Sequence, residues 1–334
     1  MTQGHEIVKW IGSSGEARVR KEIWATILLA GALCGATSSR AQEVQNELQR
    51  ARELETAEHF EQAIPIYLEV LKREPQNLEA NLGLGRAYFH CGQPAQAAES
   101  FERALQLQPE NTEIMEWLGK SYLRAREPQK VLELFGHEDS LASRYAWAHL
   151  LLAHAFDAQD KLDEARDELE RALAIDPRCR GAHFALGFIA WTTRDLETAE
   201  REFRREVALD SRQGLPYYYL AETLEVQGKL EEAQTVLKRM AREAPNTYLY
   251  HFGAGKLDEH RGNFEAAAAE FREAIRLDPK QSEAHYHLAL ALRKLGETAQ
   301  ANQEFGLANQ WRLDTRPGSG QGMGKMRPRL PDLE

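Results

Sequence analysis

The histidines are the side chains whose type and spacing could do chemistry here, and that chemistry would be metal binding. Of the 11 histidines, four recur at multiples of 34 residues, namely His149, His183, His251 and His285. Zinc takes four ligands at about 2.0–2.3 Å, and the pattern places no cysteine or carboxylate beside these rings. His149 and His154, like His285 and His287, lack the i,i+4 spacing that would put two rings on one helical face. We therefore predict no metal site and interpret these histidines as packing residues with a polar tip.

Motifs for catalysis or cofactor binding are absent from the sequence. It contains no nucleophile elbow, Walker loop, dinucleotide-binding glycine fingerprint or HExxH pair. Adjacent carboxylates such as Glu231-Glu232 are abundant, but on a helix they usually form a solvated face. We therefore predict that the chain is not an enzyme and has no cofactor. A ligand-binding protein, or an enzyme whose site carries no recognisable motif, is the alternative.

Composition and charge narrow the fold and the partners. The net charge of −10 argues against nucleic acid, because binding phosphates needs a concentrated basic face. Hydrophobic residues make up 43% of the chain, which is enough for a core. Because alanine, leucine, glutamate, glutamine and arginine are frequent and β-branched residues are few, the composition favours helix over sheet. We predict an all-α protein.

An internal repeat of 34 residues organises the chain. Proline closes a similar phrase at Pro75, Pro109, Pro177, Pro245 and Pro279. In seven repeats an alanine is followed four residues later by a large apolar residue, as in Ala97 and Phe101, and several repeats carry an earlier pair such as Leu84-Gly85. Residues three and four apart share a helical face, and proline cannot continue a helix. Each repeat is therefore predicted to be a hairpin of two helices, with glycine allowing their close approach.

The phrase Leu84-Gly85-Arg86-Ala87-Tyr88, followed by Ala97, Phe101, Ala104 and Pro109, resembles the tetratricopeptide repeat family. The frames begin at residues 44, 78, 112, 146, 180, 214, 248 and 282 and cover about four fifths of the chain. The resemblance implies an all-α fold in which eight units between residues 42 and 315 stack into a right-handed α-α superhelix. It also implies a concave groove, lined by the first helices, that binds peptides or helices of other proteins.

The third unit departs from the pattern. Glu138 stands where alanine is expected, the closing proline is missing, and Gly136 interrupts the apolar run. We predict a shortened second helix and a softer joint around residues 136–141.

Helical geometry predicts which residues line the groove. In each first helix, positions four, seven, eight and eleven face the core, and positions two, five, nine and twelve form the adjoining stripe, because each residue rotates by about 100°. In the family that stripe faces the groove. The candidate partner-binding residues are Trp147, Leu150, Phe184, Phe188, Trp191, Leu215, Tyr218, Leu249, Phe252 and Tyr286. Packing between repeats is the alternative for each ring, but for the set we favour binding, with partial exposure in the free protein.

The N-terminal segment, residues 1–41, is predicted to be a secretory signal peptide. Arg20 and Lys21 precede an apolar run over residues 23–36, and Ser39 and Ala41 are small residues before a cut after Ala41. The leader is long, and Val19 is a candidate for its natural start. A membrane anchor through residues 23–36 is the alternative, although the run is shorter than the roughly 20 residues that span a bilayer. Acylation of Cys34 is disfavoured by the large Leu33 before it.

The C-terminal segment, residues 316–334, is predicted to be a disordered tail, because its glycine, proline and serine prevent helix and supply no core. We expect trypsin to trim it near Lys325. The sequence thus predicts an exported scaffold, periplasmic or extracellular, without a stable membrane span after signal cleavage. Its predicted partner is a protein or peptide and not a nucleic acid.

Overall fold

The computed structural model describes residues 41–136, 141–244, 248–314 and 330–331. The chain divides into two units, one extending to Ser121 and the other beginning at Tyr122, and each is described by itself. All regular elements within the described ranges are helical, and no strand occurs there. None of these helices is long and apolar enough to cross a bilayer. The predicted signal peptide lies outside the described residues.

The first unit contains four helices and most of a fifth. They are α1 over residues 41–56, α2 Phe60–Arg73, α3 Leu78–His90, α4 Pro94–Leu107 and α5 Thr112–Arg124, whose last residues belong to the second unit. Val44, Leu48, Tyr67 and Leu84 are among the buried residues that form one core cluster of α1, α2 and α3. The hairpins therefore bury their apolar faces against their neighbours, as stacked repeats must.

The second unit continues as a succession of helical hairpins. Its helices are α6 Pro128–Phe135, α7 Ala146–Ala158, α8 Leu162–Ile175, α9 Ala182–Thr192, α10 Leu196–Leu209, α11 Gly214–Val226, α12 Leu230–Glu243, α13 Tyr248–Arg261, α14 Phe264–Leu277, α15 Ser282–Lys294 and α16 Thr298–Asp314. A short 3-10 helix, Leu141–Arg144, precedes α7. One core cluster runs from α7 to α13, and another joins α11 with α13 to α16.

Local chemistry explains where the helices begin. Pro94 and Pro128 occupy the first positions of α4 and α6, where proline's missing N–H costs nothing. The side chain of Asn77 accepts a hydrogen bond from the backbone N–H of Ala80 at 2.9 Å and caps α3. Asp195 caps α10 in the same way through the N–H of Thr198, at 3.1 Å. At each of these four helix starts, one residue thus satisfies or removes a backbone N–H that would otherwise lack an acceptor.

The turn between the two helices of each unit contains one residue with a left-handed backbone. Four of these residues are glycines, Gly92, Gly228, Gly262 and Gly296, with φ between 69° and 84°. The other four are Glu58, Arg126, Asp160 and Arg194, with φ between 59° and 67°. The turn geometry is therefore kept even where the side chain disfavours it.

Close contact between the two helices of a hairpin depends on glycine. A Cβ atom added at Gly187 of α9 would lie 2.7 Å from Cδ1 of Phe203 in α10. The same conflict, at 2.7 Å and 2.6 Å, would arise between Gly85 and Phe101 and between Gly255 and Phe271. No ordinary Cβ contact is that short, so each phenylalanine ring occupies the space that glycine leaves.

The second helix of the third unit is shortened, as the sequence predicted. It ends at Phe135 after 8 residues, whereas α4 and α8 have 14. The backbone N–H of Gly136 donates to the carbonyl of Leu132 at 2.8 Å, and a Cβ at Gly136 would lie only 2.4 Å from that oxygen. Glycine is therefore what permits this ending. Residues 137–140 lie outside the described residues.

Candidate functional site

The predicted groove residues differ in exposure. Tyr286 is 49% exposed, and Trp147, Phe184, Trp191, Leu215 and Leu249 are partly exposed. The remaining four, Leu150, Phe188, Tyr218 and Phe252, are 7%, 1%, 8% and 6% exposed. The expectation of partial exposure in the free protein is therefore wrong for these four.

Phe188 is buried because neighbouring first helices bring their rings together. The Phe188 ring of α9 meets the edge of Tyr219 in α11, with 5.1 Å between centroids. Trp191 lies 5.2 Å from the same tyrosine, and Phe184 lies 5.9 Å from it. Phe203 of α10 stacks on Tyr219 at 5.9 Å. Rings at these separations attract one another beyond their area burial. Tyr219 was missed from the sequence, although it closes the run Tyr217–Tyr219.

A second group of rings joins α11 to α13 and α15. Tyr218 stacks on Phe252 with 6.0 Å between centroids, and Tyr248 stacks on the same ring at 5.3 Å. His287 of α15 meets Phe252 edge on at 5.5 Å. Burial raises the pKa values of Tyr218 and Tyr248 well above their usual range, so both phenols stay neutral. Packing between repeats thus accounts for the burial of Tyr218 and Phe252.

On α11 and α13 the stripe carries charged residues at positions nine and twelve. Lys256 pairs with Glu222, which holds the same position one repeat earlier. Glu225 lies 3.1 Å from Nδ1 of His260. Burial raises the pKa of Glu225 and lowers the pKa of Lys256, so each charge depends on its partner. This face therefore combines rings at position five with charges further along, and the sequence analysis named only the rings.

Each recurring histidine is paired with a glutamate 19 residues later. The Nδ1–Oε2 distances are 2.6 Å for His149–Glu168, 2.8 Å for His183–Glu202, 2.8 Å for His251–Glu270 and 2.6 Å for His285–Glu304. The expectation that no carboxylate converges with these histidines is therefore wrong, because the glutamates lie on the second helix of the same repeat. No group of three or more potential metal ligands occurs among the described residues. The pairs join the two helices of a hairpin.

The stripe of α7 ends in buried polar residues. His154 and Asp157 occupy positions nine and twelve, and Asp157 is 1% exposed. Burial lowers the pKa of His154 to about 4, so its ring is neutral at pH 7. The Asp157 carboxylate accepts a hydrogen bond from the backbone N–H of Leu330 at 2.8 Å. Leu330 is itself buried in the core cluster that contains Leu150 and Phe188. At Leu330 the structure thus differs from the expected disordered tail.

Known sequences match the repeats directly. Models of the tetratricopeptide repeat match residues 54–99, 78–121, 150–214, 217–247 and 260–296, together more than half of the chain. Superkiller protein 3 of Schizosaccharomyces pombe is 23% identical over 159 residues, which is 46% of this chain and 11% of that protein. The type IV pilus assembly protein PilF of Pseudomonas aeruginosa is 26% identical over 165 residues, 49% of this chain and 66% of that protein. The chain thus covers less than two thirds of either relative.

Solved structures share the fold. A tetratricopeptide repeat protein from Parabacteroides merdae has a TM-score of 0.60 and 17% identity, covering 75% of this chain and 99% of its own. PilW, a type IV pilus biogenesis factor, has a TM-score of 0.53 and 21% identity, covering 63% of this chain and 97% of its own. With the repeat matches and the hairpin geometry, these likenesses confirm the predicted all-α solenoid fold, and the chain belongs to the tetratricopeptide repeat family.

Proposed function

We propose that this protein is an exported, non-enzymatic scaffold that binds a peptide or helix of a partner protein on the groove face of α7, α9, α11 and α13. The observation that carries the proposal is the row of rings on that face, part of which stays accessible: Trp147 and Trp191 are only partly buried. The indole N–H of Trp191 is buried without an acceptor among the described residues. A buried donor without a partner is costly, so Trp191 keeps its place in this row at some cost in stability.

The chemistry of the face suits a protein segment better than a small molecule. Aromatic side chains supply most of the binding energy at protein interfaces, and the carboxylates of Glu222 and Glu225 lie beside them on α11. Lys256 already neutralises part of this charge through its ion pair with Glu222. The partner segment we propose is therefore apolar with some basic residues.

Export is part of the proposal and rests on the N-terminal segment. The apolar run over residues 23–36 follows Arg20 and Lys21, as in a signal peptide. The two pilus-assembly proteins among the similar chains favour a scaffold that serves an assembly at the cell envelope. Fractionation and N-terminal analysis test this part. A mature chain beginning at Gln42 outside the cytoplasm supports export, and a retained segment 20–41 in membranes contradicts it.

Changing Trp191 to Ala should weaken partner capture about tenfold or more, the loss that follows removal of a central aromatic anchor. The measurement is affinity capture with crosslinking from the exported fraction, followed by titration of the captured partner. Trp191 is suited to this test because it is partly exposed, whereas Phe188 is buried and its loss would also disturb the fold.

Phe264→Ala is the matched control for the groove variant. Phe264 is also a partly buried aromatic residue, but it begins α14, a second helix outside the stripe. Its truncation should leave partner capture unchanged. Equal binding by the Trp191 and Phe264 variants would show that the partner does not use this face.

A further inference from the structure

Leu330 lies far along the chain from the helices that hold it. It follows the end of α16 at Asp314 by sixteen residues and is separated from Asp157 by 173 positions. Its side chain is 8% exposed and belongs to the core cluster that runs from α7 to α13. Its backbone N–H donates to Oδ2 of Asp157 at 2.8 Å. Bound extended peptides are typically held by hydrogen bonds to their backbone and by burial of their side chains, and Leu330 makes one contact of each kind.

The receiving surface is a built site rather than a chance contact. Asp157 is a carboxylate with 1% exposure, and a buried carboxylate requires hydrogen-bond donors. His154, one helical turn earlier, is neutral at pH 7, because burial lowers its pKa to about 4. Leu150 and Phe188 belong to the apolar cluster that takes the Leu330 side chain. The site therefore offers one charged acceptor beside an apolar wall.

The sequence around Leu330 fits such a site. Because Pro331 follows, Leu330 is biased toward an extended backbone, which leaves its N–H available to an acceptor outside the segment. Arg327 and Arg329 precede Leu330 in the sequence, whereas the acidic residues Asp332 and Glu334 follow it. Leu330 is thus an apolar anchor with a free backbone donor, and the basic residues lie on its N-terminal side.

We propose that the groove face of α7 at Asp157 is a site for a Leu-Pro peptide with basic residues before the leucine, and that the chain's own C-terminal segment occupies it in the free protein. The inference rests on the proposed function for its purpose, because a partner segment of the same chemistry must displace Leu330 to bind there. Tethering makes this occupation effective. Because Leu330 belongs to the same chain as the site, the contact is intramolecular, and intramolecular contacts form at effective concentrations on the order of millimolar.

The test compares the full chain with a variant that ends at Arg329. The probe is a fluorescent synthetic peptide of residues 325–334, and its binding is measured by anisotropy. The truncated protein should bind the peptide, and the full chain should bind it about tenfold more weakly, because the tethered segment competes. No partner protein enters the experiment, so its outcome is separate from that of the proposed function.

Changing the peptide rather than the protein avoids any effect on folding. A peptide with Leu330→Asp should lose binding to the truncated protein, since a charge would enter the apolar wall. Changing Asp157→Ala in the truncated protein should weaken binding of the original peptide, with circular dichroism to confirm the fold. Equal binding by the full and truncated chains, or by the two peptides, would overturn the proposal. A dimer that disappears on truncation would place a second copy's segment in the site and overturn the intramolecular form.

Discussion

Phe203→Ala should lower the free energy of unfolding by about 3–5 kcal/mol, the cost of removing a large aromatic ring from a core that cannot fully collapse. Phe203 has no exposed surface. Its ring lies 5.7 Å from Phe184 and 5.9 Å from Tyr219, so its loss leaves a cavity beside two other rings. Urea or thermal unfolding of the purified chain measures the effect. Val226→Ala is the control, because Val226 is 52% exposed and its truncation should change stability little.

A double-mutant cycle between Phe203 and Gly187 tests the reason for this cost. Gly187→Ala alone should destabilise by about 1–3 kcal/mol, because the new methyl group would collide with the Phe203 ring. In the double variant the ring is absent and the methyl group enters the vacated space. The unfolding free energies lost by the two single variants should therefore add up to more than the loss in the double variant. If the losses of the two single variants simply add up in the double variant, Gly187 is not needed for the close contact between the Phe203 ring and α9.

Glu202→Ala should destabilise by about 1–3 kcal/mol, the cost of leaving the buried His183 donor without its acceptor. The Glu202 side chain is 4% exposed and lies 2.8 Å from His183. Arg201 and Arg205 each donate to it at 2.9 Å. Its removal leaves His183 buried without this carboxylate. The matched control is Glu231→Ala, since the Glu231 side chain is 88% exposed and a surface ion pair contributes at most about 1 kcal/mol.

The same carboxylate should make stability depend on pH in the acid range. Burial raises the pKa of Glu202, but the hydrogen bonds from His183, Arg201 and Arg205 outweigh burial and lower it to about 2. A carboxyl group with a lowered folded-state pKa stabilises the fold above its unfolded value. That stability, about 3 kcal/mol, is lost as the pH falls from about 4.5 toward 2. Unfolding free energies at several pH values measure the loss.

Glu202→Gln isolates the Glu202 contribution, because it keeps the shape and removes the titration. Its unfolding free energy should fall less steeply than that of the parent between pH 4.5 and 2. Parallel slopes would mean that Glu202 titrates normally in the folded state.

The pH dependence that His149 contributes has the opposite direction. The hydrogen bond that its Nδ1–H donates to Glu168 raises the pKa of His149, so its contribution is complete below pH 6.5 and is lost as the pH rises through the raised value.

The fold could be predicted because the same local sequence pattern recurs in successive repeats. Proline, alanine and glycine recur at fixed positions, and each satisfies a helix boundary or a close helical contact, as Pro94 and Gly187 do. The shortened α6 could also be predicted, since Gly136 and the missing proline mark its end. Such features depend on contacts within one repeat, and these contacts join residues that lie close together in the sequence.

The candidate site was harder to predict because it depends on contacts between repeats. The helical wheel placed Phe188 on the groove stripe, but it did not show that Tyr219 of the next repeat would cover it. Leu186 holds position seven of its repeat, a position that the helical geometry assigns to the core, but it is partly exposed, whereas Phe188 is buried. The spacing of 19 between His183 and Glu202 was visible in the sequence, and a search within the repeat frame could have found it. The docking of Leu330 has no periodic signal at all.

The four left-handed turns that lack glycine are positions at which protein engineering could raise the stability of this solenoid. Glu58, Arg126, Asp160 and Arg194 adopt a backbone that costs an ordinary residue about 1–2 kcal/mol, at the position where other repeats carry glycine. Replacing them with glycine removes this strain, and the greater freedom of glycine in the unfolded chain offsets part of the gain. Each turn belongs to a different repeat, so the gains should accumulate. Heat resistance could thus rise stepwise while the binding face stays unaltered.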